Sequence, residues 1–253
     1  MAYSVTASEV PGDRGARKAE LAANLGAVRL RIAAACETAH RPASDLTLIA
    51  VTKTFPASDV ELLAELGITD VGENRDQEAT EKIAELDALW GGSAQQRLRW
   101  HFVGALQTNK CRSVARYAAM VHSVDRPRLV SALSAAATGR PAPLRCLVQF
   151  NLDLTPQPGR AGAWRADVPG LADQIARAPG LVLAGVMGVA PLGSDPGRAF
   201  AGLAEVAAQV RARHPEASVI SAGMSGDLEA AVANGATHLR VGAALLGSRG
   251  HAG

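Results

Sequence analysis

The spacing of hydrophobic positions changes repeatedly along the chain, and each change marks a new element. Over residues 17–40, Leu21, Leu25, Val28, Ile32 and Cys36 recur at spacings of three and four, which predicts an amphipathic helix with Cys36 on its buried face. Pro42 closes it, and after Asp45 the run LTLIAV predicts a strand ending at Thr52 and Lys53. Helices are then predicted over residues 57–65, 76–89, 109–118, 128–137, 169–178, 199–213 and 227–234. Extended segments alternate with them at residues 69–72, 99–103, 120–124, 144–152, 181–189, 218–222 and 237–241. About eight strands separated by helices, in a chain of 253 residues, have the size and rhythm of a single (β/α)8 TIM barrel with an extra N-terminal helix. A doubly wound parallel sheet is the competing α/β arrangement. The segment GRPAP at residues 139–143 reads as a loop, so residues 17–253 form one predicted barrel domain behind a flexible N-terminal tail, residues 1–16.

Composition narrows the function classes. The 26 basic and 24 acidic residues leave a net charge of +2, and aromatics make up only 4%, which argues against nucleic acid as a partner. Arg97, Arg99, Arg112 and Arg116 define a possible basic face for an acidic partner or RNA, against the plainer reading of solvated arginines. The three cysteines, Cys36, Cys111 and Cys146, contain no CxxC pair, so neither a disulfide framework nor a zinc ribbon is signalled. Cys111 lies beside Lys110 and Arg112, where either a lowered pKa with reactivity toward oxidants or an inert surface or helix position is open. The six histidines show no metal-ligand spacing. The N-terminus lacks the apolar core of a secretory signal, and the longest apolar run, LVLAGVMGVAPLG, is too short to span a membrane. A cytoplasmic protein with no membrane partner is expected.

Active sites on this fold lie at the C-terminal ends of the strands. The residues there include Lys53, Glu73 with Asn74, Gly104, Asp125, Asn151, the GMSG segment, and Arg240 with Gly242. Lys53 follows an apolar run, and partial desolvation at the barrel mouth would favour a neutral, nucleophilic amine; a lysine snorkelling to the surface is the alternative. GMSG leads into a helix with Ser225 or Asp227 as N-cap, and GAALLG turns after the last predicted strand. These two segments fall where barrels commonly bind phosphate, after strands seven and eight. A phosphate site and a Schiff-base lysine suggest pyridoxal phosphate (PLP) or a sugar phosphate. Arg240 would pair the phosphate, sit against a pyridine nitrogen, or form a structural ion pair.

The segments LIAVTKTFP, GENRDQEATEKI, WHFVGALQTNK, HSVDR, GVMGVAP and SAGMSGDLEAAVANGATHLRVGAALLG resemble the pyridoxal phosphate homeostasis protein family, in order and spacing, from about residue 21 to residue 247. The resemblance implies a barrel similar to the N-terminal domain of alanine racemase, with PLP held as a Schiff base on Lys53. It places Asn74 near the cofactor ring, Arg240 at the pyridine nitrogen, and Ser221, Met224, Ser225, Gly242 and Ala243 around the phosphate. It also implies intracellular PLP (vitamin B6) homeostasis and amino-acid balance, with PLP-dependent apoenzymes as recipients and a monomeric state. Three positions depart from the family pattern: Ala243 replaces a threonine, Arg75 replaces an aromatic residue, and Arg160 with Gly162 stands where a lysine near a glycine is usual.

Two enzymatic alternatives accompany the carrier reading: a PLP-dependent enzyme such as a weak amino-acid racemase, and a cofactor-free Schiff-base aldolase. Racemisation needs acid/base groups on both faces of the substrate. The resemblance implies that the racemases take their second group, a tyrosine, from an additional domain. Here Tyr3 falls in the predicted tail and Tyr117 in an outer helix, which leaves His101 as the residual second base. A barrel-interior histidine satisfied by a neighbour is the plainer reading of His101 and His122.

Overall fold

The computed structural model describes residues 11–153 and 161–247. Its first half runs α1 (Pro11–Thr38), β1 (Thr47–Val51), α2 (Ala57–Glu65), β2 (Asp70–Glu73), α3 (Asp76–Trp90), α4 (Ala94–Arg97), β3 (Arg99–Phe102), α5 (Cys111–Tyr117) and β4 (Ala118–Val124). The second runs α6 (Pro127–Ala137), β5 (Leu144–Gln149), α7 (Val168–Arg177), β6 (Leu181–Met187), α8 (Pro196–Arg213), β7 (Val219–Ser221), α9 (Leu228–Ala233), β8 (His238–Val241) and α10 (Ala243–Leu246). The eight strands are parallel, each paired with the next, and β8 pairs with β1 from Thr47↔His238 to Ala50↔Val241. That closure makes the sheet a (β/α)8 barrel and excludes the doubly wound sheet.

Alternation along the strands separates two interiors. Outward residues such as Ala50, Val71, Trp100, Phe102, Leu239 and Val241 join the helices' apolar faces in one continuous core, where Leu21, Leu25, Val28, Ile32 and Cys36 of α1 also lie. In the helix predicted over residues 199–213, the spacing of Phe200, Leu203, Val206, Ala207 and Val210 puts them on one face of α8, and all five are buried. Inward residues form a small apolar cluster of Met120, Leu147, Ala184, Met187 and Val219. Beside this cluster and the buried Ile49, the barrel interior holds a polar set, Asp70, His101, His122, Ser221 and Arg240, all buried.

Two boundaries differ from the sequence reading. Residues 11–16, assigned above to a flexible tail, are already helical in α1. Gly15 interrupts the hydrophobic pattern there, but Arg14 reaches Glu61 and Glu65 of α2 at 2.9 and 2.6 Å, and these ion pairs tie the first turns down. Residues 1–10 lie outside the described residues, with Tyr3 among them. The GAALLG turn contains the short helix α10, whose Leu245 and Leu246 are buried.

All three cysteines are free and buried. Burial pushes the Cys111 thiol up to about 11, outweighing the opposing pull of Arg126, and pushes Cys146 up to about 12. The inert reading of Cys111 therefore holds over the reactive one. Dithiobis(nitrobenzoate) should label the native protein only slowly and all three thiols promptly in denaturant; rapid labelling of Cys111 in the native state would contradict this packing.

Candidate functional site

The C-terminal ends of β1, β2, β7 and β8 come together at the barrel mouth, and their sequence explains how. The register Val51↔Gly72 carries Lys53 level with Asn74 on the neighbouring strand. Lys53 is exposed. The desolvation expected for it from sequence is therefore not supplied by the protein itself. The flanking backbone is tightly held: Thr52 N–H donates to the Gly72 carbonyl at 3.0 Å, and Thr54 adopts φ +67, a left-handed conformation rare for a β-branched residue.

Asn74 is packed from behind by Gly104. A Cβ at that glycine would fall 2.2 Å from the Asn74 carbonyl oxygen, so only glycine lets the loop after β3 approach so closely. Asn74 Oδ1 is buried without a hydrogen-bond partner among the described residues. An orphaned buried acceptor of this kind marks a place where a ligand donor or a water completes the site. Arg75, the departure noted above, is exposed at the N-terminus of α3.

The two glycine-rich segments meet. Ser225 Oγ accepts from the Ala244 N–H at 3.1 Å, joining the loop after β7 to the turn after β8. Gly242 abuts the end of β1, since a Cβ there would lie 3.3 Å from the Val51 carbonyl oxygen. Gly223 takes φ +88, and a Cβ on it would strike Ala231 and Leu239 at 2.7 and 2.9 Å. Asp227 is the N-cap residue of α9, but its carboxylate turns back to accept from the Met224 N–H at 2.5 Å. The amides of Ser225 and Ala243 have no acceptor among the described residues and suit an anion. Met224 is 38% exposed beside them. Ser221 is placed differently from the other residues assigned to the phosphate: it is fully buried, and its hydroxyl turns into the barrel.

That hydroxyl belongs to a polar chain crossing the barrel interior. Arg240 donates from Nη1 to Ser221 Oγ at 2.6 Å and from Nη2 to the Gly188 carbonyl at 2.9 Å. His122 Nδ1 lies 2.9 Å from Ser221 Oγ, His122 Nε2 2.9 Å from His101 Nδ1, and His101 Nε2 2.9 Å from Asp70 Oδ1. A guanidinium can only donate, so the Ser221 hydroxyl passes its own proton to His122 Nδ1. Neutral His122 then donates from Nε2 to His101, and His101 donates from Nε2 to the Asp70 carboxylate. Both histidine rings and the Ser221 hydroxyl are matched in this way, while Arg240 spends only two of its five N–H groups, on Ser221 and Gly188. Burial raises the Asp70 carboxyl, but hydrogen bonds from His101, Arg99 and Thr69 outweigh it and leave the group well below the usual carboxylate range. Burial also lowers Arg240 to about 10.

Several sequence candidates fall elsewhere. Tyr117 is buried at the end of α5, and desolvation together with Asp76 and Glu73 raises its hydroxyl well above the usual range. All four arginines are exposed: Arg97 stacks on Trp90, Arg99 pairs with Asp70, and Arg99 and Arg116 line one surface pocket with Arg140. Arg160 lies outside the described residues. Sequence reading did not single out Lys82, a helix residue that is buried and bonded to the Thr52 carbonyl. Among the described residues no cluster of His, Cys, Asp and Glu is arranged to hold a metal ion, and no helix is long and apolar enough to cross a membrane.

Residues 23–250 match the family model described as alanine racemase, N-terminal domain, which sets the class of barrel. A protein of Mycobacterium tuberculosis (strain H37Rv) named pyridoxal phosphate homeostasis protein is 44% identical over 246 residues, covering 92% of this chain and 94% of its own. Among solved structures, a protein from Bifidobacterium adolescentis superposes with a TM-score of 0.84 at 30% identity, covering 94% of this chain and 98% of that one. PipY of Synechococcus elongatus PCC7942, solved with PLP bound, superposes with a TM-score of 0.76 at 32% identity, covering 90% of this chain and all of PipY. The chain belongs to the pyridoxal phosphate homeostasis protein family.

The polar chain makes stability depend on pH. Burial, with the proximity of His101 adding to it, holds His122 well below the ordinary histidine range and pushes His238 down to about 4. Between the ordinary value of 6.5 and about 4 the unfolded chain therefore binds more protons than the native one. Stability should fall as pH drops through that window, by up to about 1.4 kcal/mol per pH unit for each histidine. Urea unfolding measured at intervals from neutrality to about pH 5 tests this, and a flat profile would contradict it.

Proposed function

We propose that this protein binds pyridoxal phosphate at the barrel mouth through Lys53 and acts in PLP (vitamin B6) homeostasis and amino-acid balance. The observation that carries this reading is the placement of an exposed lysine at the end of β1 level with the orphaned, buried Asn74 Oδ1 at the end of β2. PipY, of the same fold, was solved with PLP bound, which supports the same cofactor here.

When bound, the cofactor supplies an aldehyde as electrophile for the Lys53 amine, and a phosphate. Lys53 is the nucleophile. The Ser225 and Ala243 amides hold the phosphate, with Met224 and Gly242 shaping the loops around it; because the contacts are backbone, the missing hydroxyl at Ala243 costs one side-chain bond and no amide. Asn74 orients the ring edge. Arg240 offers an N–H to the ring nitrogen and has no acceptor for a ring proton, which keeps the ring a weak electron sink. Ser221 would serve the site by holding Arg240, its hydroxyl being engaged by Arg240 and His122.

A carrier role fits the fate of the candidate acid/base groups. His101 and His122 are committed to Asp70, to each other and to Ser221, and the Tyr117 hydroxyl is buried away at the end of α5. PLP-dependent apoenzymes are the natural recipients of the carried cofactor, a monomer suffices for this site, and the cytoplasm is where such recipients lie.

The test is the visible absorbance of the purified protein with added PLP, before and after borohydride, followed by peptide mass mapping. A chromophore bleached by reduction, with the pyridoxyl mass on Lys53, is the expected result. Lys53→Ala should abolish it while shifting stability by no more than about 0.5 kcal/mol, because the side chain is exposed. No chromophore, or a label on another residue, overturns the assignment and favours a Schiff-base aldolase that takes a sugar phosphate.

A further inference from the structure

A second lysine lies under the first. Lys82 of α3 is 5% exposed, and its Nζ stands 2.7 Å from each of three acceptors: the Thr52 carbonyl, Glu73 Oε1 and Glu78 Oε1. An ammonium has three N–H groups, so this one is saturated. Thr52 Oγ1 adds a bond to the same Glu73 oxygen at 2.6 Å. Glu78 also accepts from the Thr54 N–H. Two side chains one helical turn apart on α3 thus grip the backbone on both sides of Lys53, at the carbonyl of Thr52 and the amide of Thr54.

The conformation they grip is one the chain would not adopt freely. At φ +67, Thr54 sits where a β-branched side chain is disfavoured, and such residues persist only when their surroundings hold them. A charged acceptor on the Thr54 amide and a charged donor on the Thr52 carbonyl are the strongest hydrogen bonds a protein has for that purpose. Thr52 is buried and its carbonyl also accepts from the Phe55 N–H at 3.1 Å, but Lys53 and Thr54 are exposed, so beyond that turn bond it is the two α3 side chains that hold this stretch. Reading Lys82 as a stability element leaves its aim at the Thr52 carbonyl unexplained, because an ion pair with Glu73 needs no backbone partner.

We propose that Lys82 and Glu78 are positioning residues that fix the Thr52–Thr54 turn and thereby set the direction of the Lys53 amine. The proposal rests on the function proposed above, in which Lys53 bonds the cofactor aldehyde. It predicts a discrimination that a purely structural role would not produce: loss of the clamp weakens a ligand that must bond Lys53, and spares an otherwise identical ligand that does not.

The experiment compares PLP with pyridoxine 5′-phosphate, whose alcohol replaces the aldehyde, on wild type, Glu78→Ala and Lys82→Met. Both variants should lose affinity for PLP about tenfold, the cost of one charge-assisted bond, while affinity for pyridoxine 5′-phosphate stays within about twofold. In the unliganded Glu78→Ala protein, hydrogen exchange at the Thr54 amide should accelerate about tenfold or more. Equal weakening of both ligands, or unchanged PLP affinity with a freed Thr54 amide, overturns the proposal. Lys82→Met leaves two carboxylates without their cation; should it fail to fold, Glu78→Ala carries the test, because Glu78 is 22% exposed and Lys82 keeps Glu73. A pyridoxyl label away from Lys53 in wild type fails the functional reading itself, and this proposal with it, before any variant is compared.

Discussion

The pairing of β8 with β1 is the constraint on which the rest of the molecule depends. It brings residues 47–50 into register with residues 238–241, almost two hundred positions apart, and every component of the mouth follows. Continuing that ladder sets Lys53 beside the turn after β8, and the next pairing, β1 with β2, sets it beside Asn74. An open sheet would leave β1 and β8 as edges and scatter the lysine, the loop amides and Arg240 along separate rims. Closure also removes the unpaired edges that a parallel sheet would otherwise have to protect.

Closure creates an interior too narrow for a ligand, which must be filled with side chains. This barrel fills part of it with apolar residues and part with a hydrogen-bonded chain from Asp70 to Arg240. A polar filling is not the more stable choice. Burying a charged pair costs several kcal/mol in desolvation, and apolar replacements of the same volume are often neutral or better. The chain is consistent with another requirement, that of presenting a guanidinium at the mouth in a fixed pose. Each member has its neighbour as sole side-chain partner on that side, so removing any one leaves a buried donor or acceptor unmatched. His122 stays neutral because complete burial strips away the water that would solvate its charge.

How much of this was legible in the sequence depended on the range over which each feature is determined. Strands and helices are local, and the periodicities of residues 57–65 and 199–213 predicted α2 and the buried face of α8 well. The positions of Lys53 and Asn74 at neighbouring strand ends were legible because each stands at or just past the C-terminal end of a predicted strand, where a barrel carries its chemistry. The contacts of Ser221 were not legible, because its neighbours in sequence are the glycine-rich loop residues, whereas its partners, His122 and Arg240, arrive from other strands. Lys82 was overlooked for a similar reason. In the pattern of residues 76–90 it reads as one charge on a solvated helix, and its target, the Thr52 carbonyl, lies thirty positions earlier. The start of α1 was misread because Arg14 is secured by carboxylates on α2, which no window around residue 11 contains.

Exposure of Lys53 bears on what the site is good for. A buried lysine would shield its bond to an aldehyde from water and from other amines, as a catalytic site requires when it must protect a reactive intermediate. An exposed one leaves that bond open to exchange. Exchange is a liability in an enzyme and the working step of a carrier, provided that the amine returns to the same position each time. Fixing the backbone through α3 while leaving the side chain in solvent meets both demands, because the clamp acts at Thr52 and Thr54 and covers nothing beyond them. On the proposed reading, Arg240, held by Ser221 and Gly188, would complement this by having no acceptor for a ring proton. On that reading the polar chain fixes one side group of the site and the clamp the other, and both would favour holding the cofactor over using it.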